Sequence, residues 1–416
     1  MTTKIYKKAV CESRLALLLF VCFSWLSLSF PMKSLAEIQW SESSLWRSAQ
    51  VLPRGQHRWS ARVGGQKIDD KFDPSGEVQT LGQTYKQDWS WGELVSSQRN
   101  QAAQKEIRQY MDRNAISESE LAATSGFDIK REELKFDLSW AYGLTERWMF
   151  GIFVPVSQVT TFIDPEVRVI GRPASEMSLL SQKNSNVEKM VESVVQEKLD
   201  RQGYRNVSEK KQQWLWGDVS LMNQFLVYGG EDWRWSVQQM LKMPTSRNAS
   251  LSEFARVSRD EGQLDLGVST FAERNFGSAL GIIGLGYVNQ LPGRIRISEF
   301  SENGDQLAGD REVSRDLGDI FWTGFESRYF LTPKWRLAGT YRYFYKGSDQ
   351  WDEVISTGET QQQAHIGRVD LTYVFSRSHR FEIEKKWAVN LQAQTTLAGI
   401  NTEKITSAAL EIQTFF

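Results

Sequence analysis

From about residue 129 the chain alternates apolar and polar side chains with period two, in pairs of runs joined by tight turns. Leu134, Phe136, Leu138, Trp140 and Tyr142 share one parity, with Lys135, Asp137 and Ser139 on the other. Successive side chains of a strand point to opposite faces, so this is sheet with one greasy and one wet face. The polar turn at 143–147 leads into Trp148, Phe150, Ile152, Val154 and Val156, again on one parity. The unit recurs four times. Val219, Leu221, Phe225 and Val227 return through 229–232 into Trp233, Trp235, Val237 and Leu241. Leu264, Leu266 and Val268 return into a strand at 279–289, and Phe321, Phe325 and Tyr329 into Trp335, Leu337, Tyr341 and Tyr343. Val369, Leu371, Tyr373 and Phe375 precede a longer turn and Trp387, Val389 and Leu391.

Between these hairpins lie long polar connections at about 69–128, 161–213, 244–261, 291–316, 346–362 and 395–403, so that short turns alternate with long ones. With a first strand near 57–68 and a last at 404–416, the pattern predicts twelve strands. Sheet in lipid must close, because every backbone N–H and C=O needs a partner there. The expected fold is therefore all-β: a transmembrane antiparallel barrel with short turns on the periplasmic side and long loops outside. Four of the five returning strands open on tryptophan, whose ring favours a membrane interface.

Composition agrees. Hydrophobic residues make up 40% and mean hydropathy is −0.44, which excludes a polytopic helical membrane protein, while 16 Trp, 12 Tyr and 22 Phe suit a barrel's outer face. Residues 275–293 lack a charge, yet five glycines and Pro292 mark them as a glycine-rich hairpin strand rather than a helical span. A net charge of −1 supplies no field for nucleic acid.

Lys4, Lys7, Lys8 and Arg14 precede an uncharged run at 15–30, and Ser34-Leu35-Ala36 offers small residues before Glu37. This is the layout of a secretory signal peptide over 1–36, leaving 37–416 as the barrel. Both cysteines, Cys11 and Cys22, lie in the leader, so the mature chain is cysteine-free, as is common among bacterial envelope proteins. The expected location is the Gram-negative outer membrane. Phe416, in step with Ile412 and Leu410, is a frequent ending for barrels delivered to the barrel-assembly machinery; Thr414 departs from the usual apolar residue.

Some residues sit awkwardly. Asn223 and Gln239 fall on the lipid parity, which suggests a register slip or a bulge, and Lys385 and Lys404 fall there near strand ends. Two loop stretches read as helical: Ser185 with Glu188 opens one, with apolar residues from Val187 to Leu199 at helical spacing, and 93–113 is the other. Either folds over or into the barrel as a gate, or decorates its rim.

The polar parity carries the site. Lys135, Asp137, Asp218, Arg234, Lys242, Asp265, Glu326, Arg328, Arg342, Arg368, Asp370 and Glu411 are candidates for lining the lumen, with Arg336 and Lys386 beside them. They either set the selectivity of a wet pore or fill the interior with salt bridges. Twelve strands ~4.8 Å apart and tilted ~40° give a backbone diameter of roughly 24 Å. Side chains leave room for one small solute, and the long 161–213 connection reaches far enough to restrict it.

No catalytic or cofactor motif emerges. His57, His365 and His379 lack metal-ligand spacing, and neither a Gly-x-Ser-x-Gly elbow nor a phosphate-binding glycine loop is present. His365, near the outer rim with Ser and Asp nearby, is the one candidate for a rim hydrolase; the plainer expectation is a histidine at headgroup level. A channel for small solutes, a closed structural or adhesive barrel, and a rim enzyme remain the three function classes.

The stretch Ala141-Tyr142-Gly143-Leu144-Thr145-Glu146-Arg147-Trp148, running on through Gly151-Ile152-Phe153-Val154-Pro155-Val156, resembles a hairpin of the outer-membrane protein family named for the meta-pathway of phenol degradation. Gly217-Asp218-Val219-Ser220-Leu221, Leu241-Lys242-Met243-Pro244-Thr245 and Gly262-Gln263-Leu264-Asp265-Leu266-Gly267 resemble the segments that follow, with Ser246 where the family often has glycine. The resemblance covers about 129–290. It implies a barrel that passes small hydrophobic or aromatic compounds, with membrane lipid and the solute as partners and no cofactor.

Overall fold

The computed structural model describes residues 48–97, 101–169, 211–246, 263–300, 307–351, 360–375 and 386–416. Twelve long strands form its wall: β1 (His57–Phe72), β2 (Leu121–Thr145), β3 (Trp148–Val169), β4 (Val219–Gly229), β5 (Trp233–Met243), β6 (Asp265–Asn275), β7 (Ala279–Gln290), β8 (Ile320–Phe330), β9 (Trp335–Lys346), β10 (Gln362–Phe375), β11 (Lys386–Ile400) and β12 (Glu403–Phe415). Each pairs antiparallel with its neighbours in sequence, and β1 pairs with both β2 and β12. The sheet has no free edge in its wall: it is a closed barrel, sealed by Trp59 between Trp140 and Thr414 and by Val63 between Phe136 and Leu410.

Burial is inverted relative to a soluble domain. Leu138, Ile283, Phe325, Val369 and Leu391 are each more than half exposed, while Asp137, Gln224, Lys242, Asp370 and Glu411 are buried. An apolar belt around a closed wall is the surface that a barrel turns to lipid. No described helix is long and apolar enough to cross a membrane.

Several strands run beyond the limits that alternation suggests. β2 and β3 have 25 and 22 residues and stay paired to 123 and 169, well past the ~10 residues a tilted span needs. Their upper parts carry charges on both faces, with Lys130 beside Asp128 and Lys67 of β1 beside Asp69, so periodicity fades where lipid ends. One expected long connection is absent. Residues 395–400 continue β11, and Asn401, in a left-handed conformation, makes a two-residue turn with Thr402 into β12. The polar run Gln392-Ala393-Gln394-Thr395-Thr396 reads as loop, but those side chains alternate between bore and exterior of a strand paired on both sides.

The other long connections are partly structured. Residues 293–300 and 307–316 form a hairpin that continues to a short strand at 350–351, making a small second sheet. Between β1 and β2, Asp73 accepts from the backbone N–H groups of Ser75 and Glu77; the Ser75 hydroxyl, donating to the same oxygen, holds this carboxyl below its usual range. Helices α1 (Trp91–Ser97) and α2 (Gln101–Arg113) follow and bear out the helical reading of 93–113. They bury Leu94, Val95, Ile107 and Met111 with Trp89, Trp91 and Ala122, a core of their own against the top of β2. The helix expected around 185–199 lies outside the described residues, as do the leader, Lys385 and most of the 161–213 connection.

The misfits resolve without a register error. Asn223 and Gln239 do face outward, and they face each other: Asn223 Nδ2 donates to Gln239 Oε1 at 3.0 Å, and Trp148 Nε1 donates to Asn223. A register shift exists nearby, between Leu226 and Tyr228, but it lies beyond both residues. Lys404, also outward, lies 4.0 Å from Asp70 at the end of its strand.

Candidate functional site

The bore is built from inward parities, and its charges fall into groups by wall. On β1, β2 and β12, Arg62 Nη1 reaches Asp137 at 3.1 Å, Arg58 Nη2 reaches Glu411 at 3.8 Å, and Lys135 lies 3.9 Å from Glu133, which also accepts from Gln66. On β4 to β6, Lys242 Nζ sits 3.0 Å from Asp265 and 3.9 Å from Asp218, whose other oxygen takes the Ser246 N–H. Arg234, half-exposed near the turn end, reaches Glu273 at 3.0 Å. On β8 to β10, Arg328 pairs with Glu326, and Arg368 Nε lies 2.9 Å from both oxygens of Asp370. The twelve candidates fall on the inward parity of their strands. Arg342 stands 5.7 Å from the centre of the Trp322 ring. Arg336 is exposed at the turn end, its guanidinium over Phe330.

That aromatic surface is the feature alternation did not reveal. Phe271 of β6, Leu280 and Ile282 of β7, Trp322 of β8 and Phe344 of β9 form a buried apolar cluster on the inward parity. Phe271 and Trp322 lie 5.8 Å apart, tilted by 43°. The glycines of β7 make room for them. A Cβ at Gly286 would stand 2.1 Å from Trp322 Nε1, and one at Gly284 would stand 2.9 Å from the same indole. The bare backbone of β7 is thus a floor on which Trp322 lies. Beside it opens a small recess, with room for little more than a water molecule, lined by Phe271, Ile282, Trp322, Glu326, Thr340 and Arg342. A sequence signal existed: Gly281, Gly284 and Gly286 in one strand mark close approach by a bulky neighbour.

The second unanticipated feature is the segment before β1. Residues 48–56 turn back at Gly55, whose φ is +80°, and cross the interior near the turn end. Gly55 N–H donates to Gly143 O, and Gly143 N–H to Gln56 O; a Cβ at Gly143 would stand 2.0 Å from Pro53 O. Leu52 joins a cluster with Ala141, Met149 and Met222 on β2 to β4. Further back, Gln224 Nε2 donates to Ser48 O at 2.7 Å, Gln50 Nε2 donates to Glu273 Oε1 at 3.0 Å, and Ala49 packs into the cluster containing Phe271 and Trp322. The chain therefore bridges the bore from the β2 side to the β6 side, a strap where restriction was expected from the 161–213 connection.

At the loop end the interior is tightly filled. Lys346 Nζ meets Asp349 at 2.9 Å, both fully buried, and Gly318 N–H donates to the same carboxyl. Burial pushes the Asp349 carboxyl above its ordinary range, against the pull of Lys346. Outside, the hydroxyl of Tyr341 and His365 Nδ1 share a hydrogen bond at 2.6 Å, and the Tyr343 ring lies 5.0 Å from that of His365. No group of three metal-ligating side chains occurs among the described residues.

No family model and no curated protein matches this sequence. Among solved structures, an outer membrane channel from Pseudomonas putida F1 is similar over 91% of this chain and all of its own, with 12% identity and a TM-score of 0.52. Both chains share the barrel fold. The Pseudomonas putida toluene transporter TodX (10% identity, 92% and 95% covered) and the translocator domain of the Neisseria meningitidis autotransporter NalP (8% identity, 88% and 90% covered) reach TM-scores of only 0.30 and 0.32. A transporter and an autotransporter domain match about equally, so at that level likeness says nothing of cargo.

Proposed function

We propose that this chain is an outer-membrane channel for small hydrophobic or aromatic solutes, restricted by its own N-terminal segment. The observation that carries the reading is the apolar, aromatic surface on the inward face of a closed barrel. A purely structural interior would be filled by paired charges or by side chains packed to crystal density; a transport site needs apolar surface beside polar groups that fix orientation. The similar Pseudomonas putida structure is described as an outer membrane channel, which agrees with the proposal. So does the resemblance of residues 129–290 to the phenol meta-pathway family.

In this reading residues 1–36 direct export and are removed, Phe416 serves recognition by the assembly machinery, and the exposed aromatics near the turns (Trp59, Trp233, Trp235, Trp335, Trp387) form the periplasmic girdle. Trp214, Trp216, Tyr287 and Tyr345 supply the outer one. Cysteine placed at Glu231 in a short turn then resists an impermeant thiol reagent on intact cells, and cysteine at Glu118 reacts. The inward charged residues set ion selectivity.

The decisive measurement is conductance of the purified barrel in planar bilayers, with and without residues 37–54. Current that appears or grows on removal supports the channel. A barrel silent in both forms leaves the structural reading, which the charge pairs along β1, β2 and β12 favour. Hydrolysis of lipid or peptide lost on His365→Ala would instead establish the enzyme, although His365 is engaged by Tyr341 and packed against Tyr343.

A further inference from the structure

The two faces of one strand pair treat arginine differently. On the inward face of β5 and β6, Arg234 Nη1 reaches Glu273 at 3.0 Å. On the outward face, one residue nearer the turn, Arg274 stands opposite Trp233. Its guanidinium lies 5.0 Å from the centre of the Trp233 ring and 5.1 Å from that of Phe276. The Phe276 ring reaches over bare backbone, since a Cβ at Gly281 would stand 3.3 Å from it. Ring faces attract a cation but bring no charge to neutralise it. Among the described residues no carboxylate lies within ion-pair distance of Arg274. Two carboxylates sit further out. Glu231 and Asp232 occupy the adjoining turn, both exposed, and Asn275 N–H donates to Asp232 O, which ties that turn to the end of β6. Toward the membrane interior, Ala272 lies between Trp235 of β5 and Ile283 of β7, a small side chain between two large, exposed ones. Trp235 Nε1 donates to Thr270 Oγ1 at 2.6 Å, which fixes the indole.

We propose that this patch is a headgroup site for a zwitterionic phospholipid that ends in a primary ammonium, phosphatidylethanolamine. The proposal rests on the outer-membrane placement with the short turns toward the periplasm, and it is independent of whether the barrel conducts. Arg274 takes the phosphate, because its planar fork matches two phosphate oxygens. Glu231 and Asp232 take the ammonium, and one acyl chain lies over Ala272 between Trp235 and Ile283. The order of charges is the argument. In the lipid the phosphate is joined to glycerol and the ammonium lies two carbons further from the chains; on the rim the cation lies nearer the membrane and the anions beyond it. Phosphatidylcholine carries the same charges, but its quaternary ammonium has no N–H to donate to a carboxylate. Phosphatidylglycerol satisfies Arg274 and then sets its net negative charge beside two carboxylates with no cation to offset them.

The test is native mass spectrometry of the full mature chain, folded in detergent, with the dioleoyl forms of phosphatidylethanolamine, phosphatidylcholine and phosphatidylglycerol added singly. The first phosphatidylethanolamine should bind about tenfold tighter than either of the others, as charge-assisted hydrogen bonds imply. Arg274→Gln should remove about that factor, and Arg274→Lys should keep part of it. Glu231→Gln combined with Asp232→Asn should bring phosphatidylethanolamine down to the level of phosphatidylcholine and leave phosphatidylcholine itself unchanged. Arg147→Gln, in a different short turn, is the control and should alter nothing. Heat-modifiability on gels confirms that each variant is folded. Equal affinity for the three headgroups, or an unchanged phosphatidylethanolamine affinity in Arg274→Gln, would overturn the site. So would preference for phosphatidylglycerol, which would move the lipid contact to Lys334 and Arg336 on the next hairpin. Displacement of the lipid by inorganic phosphate would likewise overturn it, leaving a phosphate site with no use for the ammonium. Lipid binding is read without current, so a silent barrel that prefers phosphatidylethanolamine sinks the channel alone, and a conducting barrel indifferent to headgroup sinks this site alone.

Discussion

Along the seam of β12, β1 and β2, inward charges are matched: Arg62 to Asp137, Arg58 to Glu411, Lys135 to Glu133. Across the bore, on β7 to β9, glycine backbone, Trp322 and Phe344 replace much of that polar filling, and the Arg342 guanidinium stands over an indole. Both walls obey the same alternation of apolar outside and polar inside. The difference shows that strand parity fixes which way a side chain points but not what it meets. One wall pairs its charges across the seam, and the other packs apolar side chains against bare glycine backbone.

The comparison breaks most sharply on stability. Asp137→Leu removes the carboxylate 3.1 Å from buried Arg62, and removing one partner of a buried pair costs about 3–5 kcal/mol. Replacing both residues with apolar ones of similar volume should be near neutral or stabilising, because the desolvation of both charges disappears as well. Arg342→Gln on the opposite wall should cost less than Asp137→Leu, because Arg342 is only half-buried. Denaturant titration of the three variants in micelles measures the contrast. Equal losses at Asp137 and Arg342 would mean that both walls are structural.

Conductance gives the next largest effect. Deleting 37–54 removes the strap with Leu52, Ala49 and the hydrogen bonds to Gln224 and Glu273, yet keeps His57, whose backbone pairs with Phe416. Single-channel current should rise several-fold while heat-modifiability is retained. An unchanged current would place the restriction at the loop end, near Lys346 and Asp349.

Much of this was legible beforehand, and the reasons differ by region. Strands within lipid carry a solvent-imposed period of two, so twelve of them, their order and the inward parity of Asp137, Lys242 and Asp370 could be read directly. Where the wall leaves lipid the period no longer constrains the residues, which is why the upper parts of β2 and β3 and the turn at Asn401 were read as loops. The helices at 91–113 had a further readable sign. Ser90 N–H donates to Glu93 Oε2 at 2.8 Å, and Glu93 N–H to Ser90 Oγ at 3.3 Å, a capping box spelled Ser-x-x-Glu. The strap was not legible, since Ser48, Ala49 and Leu52 show no period, and the hydrogen-bond partners of Ser48 and Gln50 lie 176 and 223 positions further on. The recess was half legible: the glycines of β7 signalled close approach, but only pairing with β8 shows that Trp322 is what approaches.

Ion selectivity sharpens the comparison further. Neutralising Arg342 and Arg368 should move the reversal potential toward cation preference, because fixed positive charge in a narrow passage of low dielectric repels cations. Leu371→Ala, on the outward parity of the same strand as Arg368, should leave the reversal potential unchanged. A shift from Leu371→Ala as large as that from the arginines would mean that the variants act through barrel distortion rather than charge.

The smallest expected effect carries the comparison from inside to outside. Asn223 and Gln239 form a polar pair on the lipid face, joined to each other and to Trp148. They resemble the seam in being mutually satisfied, but they are neutral, so no ion must be desolvated to place them there. Gln239→Leu leaves the Asn223 amide with one partner fewer beside lipid, and loss of about 1–2 kcal/mol is expected for an unsatisfied polar group. Changing both residues to leucine removes the need along with the bond, and should recover most of that loss. Recovery stays incomplete, because the Trp148 indole also gives up its acceptor, although its place beside a short turn lets interfacial water replace it. A double-mutant cycle in lipid vesicles therefore yields a coupling of about 1 kcal/mol, well below that of Arg62 with Asp137. If the two couplings were equal, charge would not be what distinguishes the seam, and the outward amide pair would have to be counted among the contacts that hold the barrel closed.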